Sequence, residues 1–319
     1  MALLSVIVPL YNEKECAKTC YERVAGVLSS VDMGGGKPEF EIIFVDDGST
    51  DGTLPIILSL AEGDKRLKVV SLSKNFGQQA AFSAGMEYAK GDALIFLDAD
   101  LQDPPEVIPE FIEEWQKGSR IVYGVRKMRE GESKFKRFTA KLYYRLLGLL
   151  ADVKIPYDTG DFRLIDRRVA DAVRKMPEHN RFLRGMSCWT GFRQSSVAYR
   201  RDRRFSGETK YSFFKMIKLA ADGILSFSAK PLKIVSMLGV FSLFASIVLF
   251  VYVLVSLFSG SAQAGWASII CVITFFGGLQ LTALGIIGEY IARIFEEVKG
   301  RPNYIVDFTV NTDAQLPSR

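Results

Sequence analysis

Two aspartates one residue apart, Asp98 and Asp100, follow the apolar run Ala93–Leu97, with Gln102 just behind them. Two carboxylates on a turning backbone can hold one hard divalent cation. Oxygen ligands suit Mg²⁺ or Mn²⁺, and neither His nor Cys lies near enough in sequence to suit zinc. Such a cation would neutralise a departing diphosphate. The same spacing also occurs in solvated turns. A second pair, Asp46 and Asp47, ends another apolar run. A carboxylate there can accept the ring N–H of uracil or guanine, or it can cap the next helix, a task for which Ser49 and Asp51 stand closer. Asp161 and Arg163 belong to Asp158-Thr-Gly-Asp161-Phe-Arg163, expected as a polar turn. They read equally as a base or orienter beside a phosphate clamp and as a structural ion pair. Arg200, Arg201, Arg203, Arg204 and Lys210 form a basic stretch, either a solvated face or a phosphate site. The one histidine, His179, excludes mechanisms needing two imidazoles. The four cysteines form no CxxC pair, and Cys16 and Cys20, one helical turn apart, read as packing or surface thiols.

The elements that must position these groups alternate. Strands are expected at Ser5–Pro9, Glu41–Val45, Leu67–Leu72, Ala93–Leu97 and Ile121–Tyr123. Helices are expected at about 13–29, 53–61, 77–89 and 105–117. Short apolar strands alternating with helices give an α/β fold with a mainly parallel sheet covered on both faces. Ligands of such sheets bind beyond the C-terminal strand ends. Polar residues gather there: Tyr11-Asn12-Glu13, Asp46-Asp47, Ser73-Lys74-Asn75 and Asp98-Ala99-Asp100. Four strand ends converging on one rim mark a site.

The 319 residues allow one large or two modest domains, and the mean hydropathy of +0.12 demands an apolar excess somewhere. It lies near the C-terminus. Residues 234–258 and 265–288 are 25 and 24 residues without a charge, each long enough to cross a hydrocarbon core of about 30 Å. A short Gly/Ser-rich link makes them a transmembrane hairpin. Lys230 and Lys233 before it, and Arg293, Lys299 and Arg301 after it, place both termini in the cytoplasm. Ala2–Leu10 lacks a basic start and is followed by Asn12, Glu13 and Lys14, which argues against a signal peptide. Residues 134–150 and 211–228 are basic and amphipathic, fitting helices in the headgroup layer. The expected organisation is a catalytic domain over 1–210, a juxtamembrane helix over 211–230, two membrane helices within 231–292 and a cytosolic tail over 293–319, frayed after Asn311. Nucleic acid, the other partner of basic patches, has no motif here.

Taken together, the motifs SVIVPLYNE (5–13), IIFVDDGSTDGT (42–53), LSKNFGQQAAFSAG (72–85), LDADLQDPP (97–105), TGDFRLIDR (159–167), FSGETKY (205–211) and GIIGEY (285–290) resemble those of GT-A-fold family 2 glycosyltransferases. The resemblance runs from Ser5 to about Arg301. It is closest to the bactoprenol (undecaprenyl-phosphate) glucosyltransferases and more distant from the dolichol-phosphate mannose synthases. It implies inverting transfer of a sugar, first of all glucose from UDP-glucose, to a polyprenyl phosphate at the cytosolic face of a bacterial inner membrane. Pro9, Tyr11, Glu13 and Asp47 would line the nucleotide; the rim adds Asp46, Ser73, Asn75 and Asp98. Asp98, Asp100 and Gln102 would hold Mg²⁺ or Mn²⁺ and the diphosphate, and Asp161 would be the catalytic carboxylate. Arg126, Lys127, Arg163, Arg200 and Lys210 would bind phosphates of donor or acceptor. A homo-oligomer, with a tetramer as one form, would assemble through the glycine-bearing hairpin at Gly277-Gly278 and Gly285-x-x-Gly288. Other donors (GDP-mannose, UDP-N-acetylglucosamine, a UDP-aminopentose) stay open. A processive polysaccharide synthase is the alternative enzyme, against which stands the lack of a QxxRW motif. A non-catalytic nucleotide-sugar-binding membrane subunit is the alternative outside enzymes.

Overall fold

The apolar runs expected as strands are strands in the computed structural model, which describes residues 2–33, 36–126, 159–179, 181–201, 230–258 and 265–312. β1 (Leu3–Leu10), β2 (Glu39–Asp46), β3 (Leu67–Leu72) and β4 (Ala93–Phe96) pair in parallel in the order β3-β2-β1-β4. Parallel neighbours require crossovers, supplied by α1 (Ala17–Ser30), α2 (Thr53–Gly63) and α3 (Gln78–Tyr88). Because both faces are covered, the strands are mostly apolar: Val6, Ile7, Val8, Ile42, Ile43 and Phe44 are inaccessible to solvent, and the buried Glu41 and Lys68 pair with each other. The helix α3 lies very close to the sheet. A Cβ at Gly85 would stand 2.3 Å from Ile7 Cγ2, so any larger residue would push α3 outward.

Beyond β4 the sheet changes direction. β5 (Ile121–Arg126), β6 (Thr159–Asp166) and β7 (Gln194–Tyr199) continue it in the order β4-β6-β5-β7. β6 is antiparallel to β4 and to β5, while β7 is parallel to β5. A one-turn 3₁₀ helix, Pro105–Val107, leads into α4 (Ile108–Gln116); α5 (Arg167–Arg174) and α6 (Leu183–Trp189) follow β6. The α5 N-terminus is capped by Asp166, whose carboxylate accepts from Arg168 N at 3.0 Å, Trp115 Nε1 at 2.8 Å and Arg120 Nη1 at 2.6 Å.

Two expectations are corrected here. Residues 159–163 are not a polar turn but the first part of β6. Paired on both edges and covered on both faces, this strand buries Asp161 and Arg163 along with Phe162 and Leu164. A period-2 apolar pattern is not needed when neighbours satisfy the polar groups. The segment after the second apolar run is not simply a tail. β8 (Val306–Val310) joins the far edge of the sheet, antiparallel to β3, and the Asn311 side chain donates to Ala61 O and Leu67 O at 2.8 and 2.9 Å. An edge strand covered in this way no longer offers unpaired backbone.

The chain divides into two units. One comprises Met1–Arg145, Val153–Ser212 and Pro302–Arg319; the other comprises Leu146–Asp152 and Phe213–Arg301. The second unit contains α7 (Lys230–Phe258) and α8 (Trp266–Lys299), 29 and 34 residues long. Among the described residues, Phe275–Lys299 is long and apolar enough to cross a membrane, and Val235–Val248 is a shorter apolar stretch. Their large side chains, such as Phe241, Phe244, Tyr252, Phe275 and Leu281, are exposed. The expected amphipathic helix over 134–150, most of the juxtamembrane segment 211–230 and the link 259–264 lie outside the described residues.

Candidate active site

The C-terminal ends of β1, β2 and β4 and the start of α3 enclose a pocket lined by Pro9, Leu10, Tyr11, Glu13, Asp47, Asn75, Gly77, Gln78, Asp98, Ala99 and Asp100. Six of the residues expected to line the nucleotide are therefore gathered: Pro9, Tyr11, Glu13, Asp47, Asn75 and Asp98. Two of the expected lining residues stand outside it. The buried Asp46 carboxylate faces its own loop, with contacts to Ser49 (N at 3.4 Å) and the Gly48 backbone, and burial raises its pKa against them. Ser73 is exposed, and its N–H donates to Ile305 O at 2.9 Å, just ahead of β8.

Backbone geometry shapes the rim. Asn12 adopts a left-handed conformation with φ 56°, which its short amide side chain tolerates. That side chain accepts from Thr50 N at 2.8 Å, and Asn12 N donates to Ser49 Oγ, so the loops after β1 and β2 are tied together. Both Asp47 oxygens accept backbone N–H groups, from Phe76 at 2.7 Å and from Gly77 at 2.9 Å. Burial raises the Asp47 pKa against the pull of these two donors. Asp47 thus anchors the loop between β3 and α3 as well as lining the pocket. At Gly48, φ is +69° and a Cβ would stand 2.6 Å from Lys74 C, so glycine is required for this contact.

The carboxylates after β4 lie on a strained turn. Leu101, almost fully buried, has φ 57°, unusual for a branched side chain. Asp100 accepts from Gln102 N at 3.1 Å, so Gln102 bonds it through its backbone. Asp98 accepts from Gln78 Nε2 at 2.5 Å. Its pKa is pushed up to about 7, first by burial and then by the charges of Asp161, Asp103 and Asp100, with Arg126 opposing. The negative charges of Asp161, Asp103 and Asp100 thus act on Asp98, an environment that a cation would relieve. Among the described residues no three ligating side chains converge, so a cation here would take Asp98 and Asp100 and complete its shell from elsewhere.

On the other side of β4, Asp161 is clamped by Arg184 from α6: Nε to Oδ1 at 2.8 Å and Nη2 to Oδ2 at 3.2 Å. This two-point contact fixes the plane of the carboxylate. Its sequence neighbour Arg163 takes a different place. Almost fully buried, it donates to Gly160 O at 2.9 Å and Ser187 Oγ at 3.0 Å, and burial lowers its pKa to about 10. Its donors thus hold β6 to α6 rather than pointing at solvent. Arg126 lies at the end of β5, and Arg200 is exposed just after β7. Lys127 and Lys210 fall outside the described residues.

Four contributors were not singled out from sequence. Gln78 and Gln79, adjacent at the start of α3, bond Asp98 and Leu183 N respectively, linking the metal-type turn to the helix that carries Arg184. Asp103 lies within LDADLQDPP and Gln78 within LSKNFGQQ, so the motifs contained both. Nothing local in the sequence marks Arg184, which is 23 residues from its partner.

The Glycosyl transferase family 2 profile matches residues 5–174, more than half of the chain. The chain belongs to glycosyl transferase family 2. Its sheet is that of the GT-A fold, and it is a glycosyltransferase. It is similar to the uncharacterized glycosyltransferase YkcC of Bacillus subtilis (strain 168), 46% identical over 303 residues, covering 95% of this chain and 92% of that one. It is also similar to the prophage bactoprenol glucosyl transferase homolog of Escherichia coli (strain K12), 39% identical over 307 residues, covering 95% and 98%. A third relative, the bactoprenol glucosyl transferase of Shigella phage SfII, is 39% identical over 308 residues, covering 95% and 97%.

Proposed function

We propose that this glycosyltransferase moves a sugar, glucose from UDP-glucose first of all, to the phosphate of a polyprenyl lipid, releasing UDP. The observation that carries this reading is the juxtaposition of the pocket at the ends of β1, β2 and β4 with the buried Asp161–Arg184 pair across β4. The names of two relatives supply the acceptor class. The apolar helices fit a lipid substrate, with α7 and α8 forming a hairpin in the bacterial inner membrane and both chain ends in the cytosol. An oligomer formed through the hairpin belongs to the same reading.

In this reading Asp47 recognises the uracil N–H while holding the loop at Gly77. Each carboxylate oxygen has a second lone pair for that purpose. Tyr11 and Glu13 flank the nucleoside. Asp98 and Asp100 would hold Mg²⁺ or Mn²⁺, which when bound supplies charge neutralisation for the diphosphate. Asp161 is the catalytic carboxylate. A lipid monophosphate has a second pKa of about 6 and is mostly dianionic at neutral pH, so it needs little activation. Asp161, fixed by Arg184, orients that acceptor for attack on the face opposite the diphosphate, which converts an α-linked donor into a β-linked product. Arg163 serves the scaffold of β6. Arg126 and Arg200 meet phosphate, and Lys127 and Lys210 belong to the same set.

The test uses the protein in detergent with Mn²⁺, undecaprenyl phosphate and labelled UDP-glucose, UDP-galactose, UDP-N-acetylglucosamine or GDP-mannose. One labelled lipid from one donor is expected, with UDP-glucose first. No labelled lipid from any donor, in protein that binds UDP, would overturn the proposed acceptor.

A further inference from the structure

Just behind the catalytic rim lies a carboxylate with no route to solvent. Asp103 has no exposed surface, yet it sits in the loop after β4 among charged groups. It accepts from Tyr199 Oη at 2.6 Å and from Arg126 Nη2 at 3.2 Å. Arg201 Nε stands 3.4 Å from Oδ1, the oxygen that Tyr199 engages, as a buried ion pair without a hydrogen bond among the described residues. The three partners come from different places: Arg126 from the end of β5, Tyr199 from the end of β7 and Arg201 from two residues beyond. One carboxylate therefore gathers two guanidinium groups that would otherwise repel each other and swing apart. Within the cluster two guanidinium groups face the one carboxylate of Asp103, a pairing that can hold both toward an anion.

The surroundings are built to keep this arrangement. A Cβ at Gly160 would stand 2.5 Å from Arg126 Nη2, so the bare glycine beside Asp161 leaves room for the guanidinium. The Tyr199 ring meets Phe162 edge-on at 5.6 Å, and Phe162 meets Phe111 at 4.6 Å, so its hydroxyl is aimed by a packed aromatic row. Arg126 spends two of its five N–H donors, on Asp103 and on Tyr199 Oη at 3.4 Å. The cluster adjoins the site: Arg126 and Asp103 both act on the charge of Asp98.

We propose that Asp103 is a positioning residue that holds Arg126 and Arg201 as a two-guanidinium clamp for the acceptor's phosphate. This rests on the lipid-phosphate reading above. The donor diphosphate is the other source of the same chemistry, and the experiment separates the two.

The full-length protein, in detergent with Mn²⁺, is assayed at varied undecaprenyl phosphate and at varied UDP-glucose. Asp103→Asn preserves the shape and removes the charge. The expected result is an acceptor KM raised about tenfold or more, with the UDP dissociation constant within about twofold of the unaltered protein. Tyr199→Phe should move the acceptor KM in the same direction by a smaller factor. Gly160→Ala tests the clamp with Asp103 intact: displacing Arg126 should also raise the acceptor KM and leave UDP binding alone. A merely structural role would lower the amount of active protein or kcat without splitting the two substrates. An unchanged or lowered acceptor KM in both Asp103→Asn and Gly160→Ala would overturn the clamp. A raised UDP dissociation constant with an unchanged acceptor KM would overturn the acceptor assignment in favour of the diphosphate. Failure of the lipid-phosphate reading itself shows separately, as absence of labelled lipid in the unaltered protein, and the acceptor assignment would fall with it.

Discussion

The two halves of the site are built by different means. On the side proposed for the donor, β1 to β4 are parallel, each ends in a short polar run, and every pocket residue lies within a few positions of a strand end. On the side proposed for the acceptor, β6 runs against its neighbours, and the groups are paired over long separations: Asp161 with Arg184, Asp103 with Arg126, Tyr199 and Arg201. The donor half depends on backbone turns that present amides and carboxylates. The acceptor half depends on side-chain ion pairs in a buried setting. Backbone-built sites tolerate side-chain change where no turn is disturbed. Pair-built sites fail when one partner goes, because the other is left buried and unmatched.

That contrast can be broken in order of expected effect. Asp161→Asn should lower turnover by orders of magnitude while UDP binding persists; a coupled assay for UDP release beside calorimetry with UDP checks both, and unchanged turnover would remove Asp161 from the reaction. Asp100→Ala should abolish the Mn²⁺-dependent part of donor binding, seen as equal calorimetric titrations with and without the metal. Arg184→Met should lower kcat by about tenfold to a hundredfold with the donor KM unchanged, since it frees Asp161 to rotate; steady-state kinetics at saturating lipid shows the split. Gly48→Ala acts on the other half. Its Cβ would strike Lys74 and Asn75 at a left-handed φ, so the β3–α3 loop should shift, UDP affinity should fall, and stability should drop by about 1–3 kcal/mol in thermal melting. The smallest effect is expected at the far sheet edge. Asn311→Ala removes two side-chain bonds to backbone carbonyls, costing about 1–2 kcal/mol, with kcat unchanged.

The same contrast explains what the sequence allowed to be read. Parallel strands flanked by helices announce themselves as apolar runs, and a rim at their C-terminal ends follows from topology alone, so Tyr11, Glu13, Asp47 and Asp98 could be placed in advance. The β6 strand could not, because Thr159–Arg163 carries polar residues inward and its burial comes from neighbours on both edges. Arg163 looked like a phosphate ligand for want of knowing that Ser187 and the Gly160 carbonyl would engage it. Arg184 and Tyr199 become meaningful only through partners 23 and 96 residues away. The return of Val306–Val310 to the sheet is a different case: VDFTV alternates apolar and polar residues as a strand does, but nothing in five residues after a long apolar helix says which edge they join. The motifs that resemble those of known glycosyltransferases cover both halves; the expectation of a catalytic Asp161 rests on that resemblance, since spacing alone leaves it even with a structural pair.

The most direct test of the account is UDP release from UDP-glucose by the unaltered protein, with and without undecaprenyl phosphate. Two halves meeting at one sugar predict that release depends on the lipid phosphate and matches the labelled lipid formed. Equal release without the lipid would mean that water takes the sugar, and would contradict an acceptor half built for phosphate.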